Sequence, residues 1–243
     1  MMVVERTLPV LLNGPGLEGD DLSRISALTG LAPLAGEGAD PECPVVDLIR
    51  EGEVEALGDA LRGTAVAVVE HLAGAVFPDA ALGRALAGNS LYISLSTRTA
   101  WSLDTAAAVA DGLIARAMMP DYLRHDVELS LHEAVINAVL HGNLGLGSTL
   151  VDDPAAFDTF CRRLTQTLEL PERACKRVEV EAWRTDTQLW VRIADQGDGY
   201  DPATVVPATL QSKSGRGLVI MRQLSAGMEV TDGGRTVILG FAV

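Results

Sequence analysis

The sequence predicts an α+β protein in which a layer of helices covers a mixed sheet and a small α/β domain comes first. Three patterns lead to this fold class. Short apolar runs alternate with helix-periodic segments over the first 90 residues, strand and helix patterns follow, and the end of the chain pairs into hairpins. With 243 residues and 48% hydrophobic content, the chain can hold one large or two modest domains. We divide it into residues 1–89 and 90–243.

The first domain is predicted from its alternation of apolar runs and periodic segments. The apolar runs cover 7–13, 43–49 and 64–72, and the periodic segments cover 21–30 and 53–62. Continuous apolar runs are typical of parallel strands that are buried on both faces, with crossover helices between them. We therefore expect a small α/β unit with a parallel sheet.

This arrangement resembles a bacterial receiver domain, with Asp47 on a predicted strand in the place of the phosphoacceptor. Receivers hold Mg²⁺ with an acidic pair after the first strand and pair the phosphoryl group with a lysine. Here the first predicted strand runs into Gly14 and Pro15, and the chain's lysines are Lys176 and Lys213. Two interpretations remain, a degenerate receiver that is not phosphorylated and an unrelated α/β module.

The second domain opens with a strand and two helices. Residues 91–97 alternate like a half-buried strand. The Ala-rich residues 103–118 are predicted as a helix capped by Ser102, and a second helix follows over 128–143.

Residues 144–175 form a helical insertion after these elements. Asp153–Pro154 is a helix start signal. The apolar residues that follow recur at helical spacing and predict a packing element: Phe157, Phe160, Cys161, Leu164 and Leu168.

Two hairpins and one helix end the chain. Residues 177–195 alternate on both sides of Thr185–Asp186, which predicts a hairpin that ends at Asp195. A helix opened by glycines is predicted over 215–226, and the last hairpin turns around Asp232–Gly234. The order from residue 91 is therefore β-α-α-(α)-β-β-α-β-β, a helix layer on a mixed sheet.

One predicted helix carries three polar side chains at four-residue intervals. In ELSLHEAVINAVLHGN (128–143), Glu133, Asn137 and His141 stand among Leu, Val, Ile and Ala. Four-residue steps advance only about 40° around an α-helix, so these side chains form one polar stripe. The stripe indicates that something polar meets this face, and capping, pairing or contact with solvent is the alternative.

Two glycine motifs follow this stripe along the chain. They are Asp195-x-Gly197-x-Gly199 after a strand and Gly215-Arg216-Gly217-Leu218 at a helix start. Each motif alone is common for conformational reasons. The order and spacing of all three motifs together are specific.

With these motifs, residues 91–243 resemble the Bergerat-fold, or GHKL, ATP-binding domain of gyrase, DNA-repair and chaperone ATPases and histidine kinases. HEAVINAVLHGN has the form found in the anti-sigma-factor serine/threonine kinases. The resemblance covers about three-fifths of the chain and leaves the first 90 residues outside. It implies a two-layer α/β sandwich with a mixed sheet, and ATP and Mg²⁺ as cofactors.

The resemblance implies a role for each residue of the first two motifs. Asn137 would be a ligand of Mg²⁺, which suits a metal that takes few protein oxygens beside ATP phosphates. Glu133 would act as general base toward a serine hydroxyl or water, with an exposed or capping carboxylate as the alternative. Asp195 would accept a hydrogen bond from the adenine amino group, while Gly197 and Gly199 let the backbone pass close to the base.

The second glycine motif would hold the phosphates. Gly215, Gly217 and the amides at Arg216 and Leu218 would cradle phosphate oxygens at the start of a helix. Lys213 and Arg216 would add positive charge, with solvated surface positions as the alternative.

Three further features complete the predicted nucleotide site. The segment 200–214 is predicted as a mobile lid, and Thr236 is placed near adenine. His141 is predicted to shape the helix end or the nucleotide pocket, since no second metal ligand lies at a suitable spacing. His132 lies inside the helix motif and no pair of dimerisation helices precedes the domain, so we do not expect autokinase activity on His132.

Composition and charge limit the partners of the chain. The formal charge of −14 disfavours direct binding of nucleic acid, so proteins and small molecules are expected. The scattered cysteines, Cys43, Cys161 and Cys175, favour neither a disulfide framework nor a zinc site. No signal peptide or membrane-spanning run is found in the sequence, so we expect a cytoplasmic protein without membrane contact.

Two functions remain after the sequence analysis. The first is a kinase-like switch that phosphorylates an antagonist protein, or sequesters a partner under nucleotide control. The alternative is a non-catalytic module whose protein binding depends on nucleotide. For either function the resemblance implies a protein partner, an antagonist of the anti-anti-sigma type or a sigma factor. The oligomeric state stays open, and a homodimer is compatible with both.

Overall fold

The computed structural model describes residues 9–14, 17, 19–34, 43–72, 77–88, 90–147, 154–200 and 216–243. The strands in these ranges are β1 (Leu11–Asn13), β2 (Ala32–Pro33), β3 (Val45–Arg50), β4 (Ala67–His71), β5 (Leu91–Ser96), β6 (Arg177–Arg184), β7 (Gln188–Asp195), β8 (Gly227–Thr231) and β9 (Thr236–Ala242). The α-helices are α1 (Gly19–Thr29), α2 (Val54–Arg62), α3 (Asp79–Gly88), α4 (Thr97–Ser102), α5 (Thr105–Ala115), α6 (Arg124–Ile136), α7 (Pro154–Leu168), α8 (Pro171–Ala174) and α9 (Arg216–Leu224). None of these helices is long and apolar enough to cross a membrane.

All nine strands belong to one mixed sheet with the order β2-β1-β3-β4-β5-β6-β7-β9-β8. The pairs from β2 to β5 are parallel, and the pairs from β5 to β8 are antiparallel. The predicted parallel unit with crossover helices is therefore confirmed. Its strand order, 2-1-3-4-5, is that of flavodoxin-like doubly wound folds.

Strand β5 joins the parallel and antiparallel halves of the sheet. It pairs with β4 on one edge and with β6 on the other. The prediction of a half-buried strand is wrong, because all six residues of β5 are buried. Leu91, Ile93 and Leu95 face the main core, while Tyr92 belongs to a second core under α1 and α3. The predicted boundary between residues 89 and 90 lies within this continuous sheet, and the division into two domains stays a prediction.

One helix layer runs across both halves of the molecule. Buried residues of α2, α5, α6 and α9 share one hydrophobic core against the sheet. In the contact between α2 and α5, a β-carbon at Gly112 would lie 3.0 Å from Leu61 Cβ. Arg116 Nε also donates to the Leu61 carbonyl at 2.8 Å. The parallel half is thus fixed to the rest of the protein through both its sheet and its helices.

The start of α5 differs from the prediction. Ser102 is the last residue of α4, where its hydroxyl donates to the Thr99 carbonyl, so it does not cap α5. The cap is Asp104, whose Oδ1 accepts a hydrogen bond from Ala107 N at 3.1 Å. Leu103 is extended, with φ −106° and ψ 154°, and this extended residue ends one helix before the next begins.

The predicted hairpins and insertion helix are confirmed. The hairpin of β6 and β7 closes where Thr185 N donates to the Gln188 carbonyl at 2.8 Å. The hairpin of β8 and β9 turns through Gly233, whose φ of 61° is favourable for glycine. Helix α7 covers the predicted residues Pro154–Leu168.

Asp47 is a paired, part-buried carboxylate of β3. Its Oδ1 accepts a hydrogen bond from Asn13 Nδ2 at 2.7 Å, and the two residues are register partners across β1 and β3. Burial raises the pKa of Asp47, while the Asn13 bond and the charge of Arg116 oppose this rise. The groups that act on this carboxylate are thus an amide and a guanidinium. No described lysine is among the groups that shift its pKa.

Candidate functional site

The helix with the polar stripe changes its form in the middle of the stripe. Glu133 lies in α6, but Asn137–Asn143 continue as a π-helical turn. The wide turn closes with a bond from Leu144 N to the Val139 carbonyl at 2.9 Å. Such π turns are frequent at functional sites. Glu133, Asn137 and His141 all face one cavity, as the stripe predicts.

This cavity lies between the helix layer and the end of the sheet and has a volume of about 720 Å³. Sites for small molecules and cofactors have volumes of roughly 300–1,000 Å³. The predicted site residues that line the cavity are Glu133, Asn137, His141, Asp195, Gly199, Arg216, Gly217 and Leu218. Gly197 and the buried Thr236 are not among its lining residues. Lys213, Gly215 and the predicted lid, apart from Tyr200, lie outside the described residues.

Asp195 marks one end of the cavity. Its carboxylate packs against Gly142, where a β-carbon would lie 2.4 Å from Asp195 Cγ. Asp195 Oδ1 also accepts a hydrogen bond from Gly197 N at 2.7 Å. Burial raises the pKa of Asp195, while the bond from Gly197 and the charges of Lys176 and Arg235 lower it. This carboxylate has a fixed orientation and remains in contact with the cavity.

The glycines after Asp195 allow close packing of the protein backbone. A β-carbon at Gly197 would lie 2.3 Å from the Gly142 carbonyl oxygen. Gly199 has a φ of +73°, and a β-carbon there would lie 2.2 Å from the Gly233 carbonyl oxygen. The close neighbour of Gly197 is thus the end of the π-helical turn, and its role beside the base stays a prediction.

Glu133 and Asn137 meet the start of α9 at another point of the cavity. A β-carbon at Gly217 would lie 2.5 Å from Glu133 Oε2 and 3.4 Å from Asn137 Nδ2. The first amides of a helix have no partner within the helix and point to a region that favours anions. A carboxylate, a carboxamide and a helix N-terminus therefore converge on one place.

His141 shapes the end of the helix motif. Its Nδ1–H donates to the Leu146 carbonyl at 2.7 Å, which holds the chain after the π-helical turn. Among the described residues, no three His, Cys, Asp or Glu side chains are grouped so that they could hold a metal ion.

Some cavity residues were not identified as functional from the sequence. Leu164, Phe160 and Leu168 of α7 pack on the main core, as predicted for the insertion. Phe157 and Phe160 also line the cavity. Tyr200 also lines the cavity, and its amide donates to the Gly233 carbonyl at 2.8 Å. Gly142 gave a visible signal, because it interrupts the apolar helix motif immediately after His141.

Gln196, the residue after β7, has a structural role at the back of the site. Its side-chain Oε1 accepts a hydrogen bond from Arg177 N at 2.8 Å, and its backbone N–H donates to Asn143 Oδ1 at 2.7 Å. No local pattern in the sequence signals these bonds, since they join the start of β6, the end of β7 and the π-helical turn.

The fold and the cavity define a ligand-binding domain. Its cavity lies between a helix layer and a mixed sheet and is lined by both polar and apolar residues. The family model of the histidine kinase-like ATPase domain matches residues 95–241, and the chain belongs to this family. No curated protein matches the chain in sequence. Family membership supports the predicted GHKL-type fold, and an ATPase domain implies binding of ATP, usually with Mg²⁺.

The residues of the cavity fit such a ligand. Asp195 offers a hydrogen-bond acceptor at one end, as an amino group on a base requires. Asn137 and the start of α9 lie together at another point, where a carboxamide oxygen and helix amides suit a phosphate with its cation. ATP with Mg²⁺ would thus be held by Asp195, Asn137 and the first residues of α9.

Proposed function

We propose that the protein is an ATP-dependent serine/threonine kinase of the anti-sigma-factor type, acting on an antagonist protein. One observation carries the proposal, the convergence of Glu133, Asn137 and Gly217 on one point of the cavity. ATP supplies the phosphoryl group in this reaction. The side chains around Gly217 supply a base, a metal ligand and a site for anions.

Glu133 is the proposed general base. The acceptor hydroxyl oxygen forms a bond to the γ-phosphorus, the bond from that phosphorus to the β–γ bridging oxygen breaks, and ADP leaves. The hydroxyl proton passes to the Glu133 carboxylate. A carboxylate beside a phosphate site also repels anions, so its presence there needs a chemical purpose, and proton transfer is one.

Asn137 and the start of α9 are the proposed phosphate-side contacts. Asn137 lies one turn after Glu133, and both approach Gly217. An amide oxygen is a suitable single ligand for Mg²⁺, which keeps several waters and phosphate oxygens around it. A side chain at position 217 would fill the space next to Glu133, so glycine there keeps the helix start close to the base.

The second candidate is a non-catalytic module in which nucleotide controls protein binding. The buried junction between the two halves of the sheet favours it. The Glu70 carboxylate on β4 accepts hydrogen bonds from Ser96 N and Thr99 Oγ1, and Arg177 Nη1 donates to the Glu70 carbonyl at 2.7 Å. A change of conformation in the parallel half would be transmitted to the nucleotide site through these buried hydrogen bonds. In either candidate the partner is a protein, an anti-anti-sigma-like antagonist or a sigma factor.

Phosphotransfer with matched variants tests the proposal. The purified protein is incubated with γ-labelled ATP, Mg²⁺ and candidate partner proteins from neighbouring genes. Glu133→Gln, which keeps the size of the side chain, should bind ATP nearly as well as the wild type. Transfer should slow by about 10²–10⁴-fold, the usual effect of losing a positioned general base.

The same experiment separates the two candidates. Wild-type protein that binds ATP, labels none of the partners, but captures one of them only with nucleotide would support the non-catalytic module. Transfer that is equally fast in Glu133→Gln would contradict the role of Glu133 as the base.

A further inference from the structure

Asn143, the last residue of the π-helical turn, has a fully buried side chain. Its Nδ2 donates to Thr97 Oγ1 and to the Arg177 carbonyl, both at 2.9 Å. Its Oδ1 accepts a hydrogen bond from Gln196 N at 2.7 Å. Both amide hydrogens and the amide oxygen are therefore used within the protein. One side chain thus joins the starts of α4 and β6 to the residue that follows β7.

These bonds act on two residues beside Asp195, its successor Gln196 and the packed Gly142. Gln196 N belongs to the peptide group that joins Asp195 to Gln196, so the bond from Asn143 sets the orientation of this peptide. Gly142, which precedes Asn143, lies against the Asp195 carboxylate. The peptide group after Asp195 and the residue that packs on its carboxylate are thus both tied to Asn143.

Gln196 strengthens this arrangement from the opposite side. Its side-chain oxygen accepts a hydrogen bond from Arg177 N at 2.8 Å, while the Arg177 carbonyl accepts one from Asn143. Asn143, Arg177 and Gln196 therefore form a closed set of hydrogen bonds behind Asp195. Asn143 and Arg177 are buried, while Gln196 is exposed. The set resists small displacements, because each broken bond leaves a buried polar group of Asn143 or Arg177 without its partner.

We propose that Asn143 is a positioning residue that aims the Asp195 carboxylate and thereby sets the preference of the cavity for adenine over guanine. The inference rests on the proposed function in taking ATP as the ligand. Adenine has an amino donor where guanine has a carbonyl acceptor. A correctly aimed carboxylate attracts the amino group of adenine and repels the carbonyl group of guanine. A displaced carboxylate distinguishes the two bases poorly.

Binding of ATP and GTP in the presence of Mg²⁺ tests the proposal by calorimetry. The full-length wild type should prefer ATP. Asn143→Ala should reduce this preference about tenfold or more, because a displacement of about 1 Å at a binding group has effects of that size. Asn143→Asp keeps an oxygen for Gln196 N but loses the donor to the Arg177 carbonyl, so it should retain only part of the preference.

The ratio of the two affinities separates positioning from general loss of structure. If a variant is partly unfolded, the apparent affinities for ATP and GTP fall by the same factor and their ratio is unchanged. Thr99→Val is the matched control, because it also removes a buried polar group at the junction of the two sheet halves. The Thr99 hydroxyl donates to Glu70, and neither residue lines the cavity. Thr99→Val should lower the melting temperature and keep the wild-type preference for ATP.

Three results would overturn the inference. One is an unchanged ATP to GTP ratio in folded Asn143→Ala, and another is an equal loss of preference in Thr99→Val. Wild-type protein that binds neither nucleotide would instead refute the proposed function, and the inference with it. Wild-type protein that binds ATP but transfers no phosphate would leave the positioning role of Asn143 intact and remove only the kinase activity.

Discussion

Gly142 lies directly against the carboxylate of Asp195, so closely that a β-carbon at position 142 would be 2.4 Å from Asp195 Cγ. The two residues are far apart in the sequence and belong to the π-helical turn and the end of β7. Their contact decides where the carboxylate sits in the cavity. It also explains why the helix motif contains a glycine, although glycine is unfavourable in a helix.

Gly142→Ala should therefore damage both stability and nucleotide binding. The added methyl group overlaps Asp195, and overpacking of this kind costs about 1–3 kcal/mol. Displacement of the carboxylate should weaken ATP binding by roughly 10–100-fold. Gly83→Ala is the control, since position 83 lies in α3 with nothing within 4 Å of an added β-carbon. Thermal melts and calorimetry that show no difference between the two variants would contradict the tight contact at Gly142.

Asp195→Asn should weaken ATP and ADP binding alike. A hydrogen bond to a charged group contributes about 1.5–3 kcal/mol, so the loss should be about 10–100-fold for both nucleotides. Without nucleotide, the same substitution should increase the stability of the folded protein. Burial raises the pKa of Asp195 in the folded state, so the charged form opposes folding at neutral pH and a neutral side chain should raise the melting temperature.

The pH dependence of this difference follows from the same shift. As the pH falls through the raised pKa of Asp195, the folded wild type takes up the proton and gains stability relative to neutral pH. The advantage of Asp195→Asn should therefore be largest at neutral pH and shrink on acidification. Melting curves of both proteins between neutral and acidic pH measure it, and an advantage that grows in acid would refute the direction of the pKa shift.

Asn137→Ala should mainly affect the contribution of the metal. Without Mg²⁺, the variant and the wild type should bind ADP similarly, because the base contact at Asp195 is intact. With Mg²⁺, the gain in ATP affinity seen for the wild type should be largely lost, since the amide oxygen that would bind the cation is gone. Titrations of both proteins with and without Mg²⁺ check this. An equal gain in both proteins would show that Asn137 is not the ligand.

The parallel half should not accept phosphate at Asp47. Its carboxylate accepts a hydrogen bond from Asn13 and lies near Arg116. A receiver needs a lysine and an acidic pair in these places. Incubation with acetyl phosphate and Mg²⁺ should therefore leave the mass unchanged in the wild type and in Asp47→Asn. A stable increase of one phosphate that is present only in the wild type would contradict this interpretation.

Local patterns in the sequence were sufficient for the elements and for part of the site. The four-residue spacing of Glu133, Asn137 and His141 predicts a shared face because helix geometry depends on near neighbours alone. The turns at Thr185 and Gly233 follow from backbone preferences of the residues within them. Helix α7 was predicted for the same reason, from its proline start and its apolar spacing.

The tertiary structure alone decided the contacts that make these parts into a site. The main core buries one face of β5, and α1 and α3 bury the other, which no pattern inside β5 reports. Gly142 against Asp195 and Asn143 bonded to Gln196 join segments about 50 residues apart, as the 53-residue separation of the last pair illustrates. Periodicity and turn chemistry act over a few residues, whereas such contacts follow from how whole strands and helices pack. The sequence therefore determined which polar groups could serve a nucleotide site, and packing determined which of them meet.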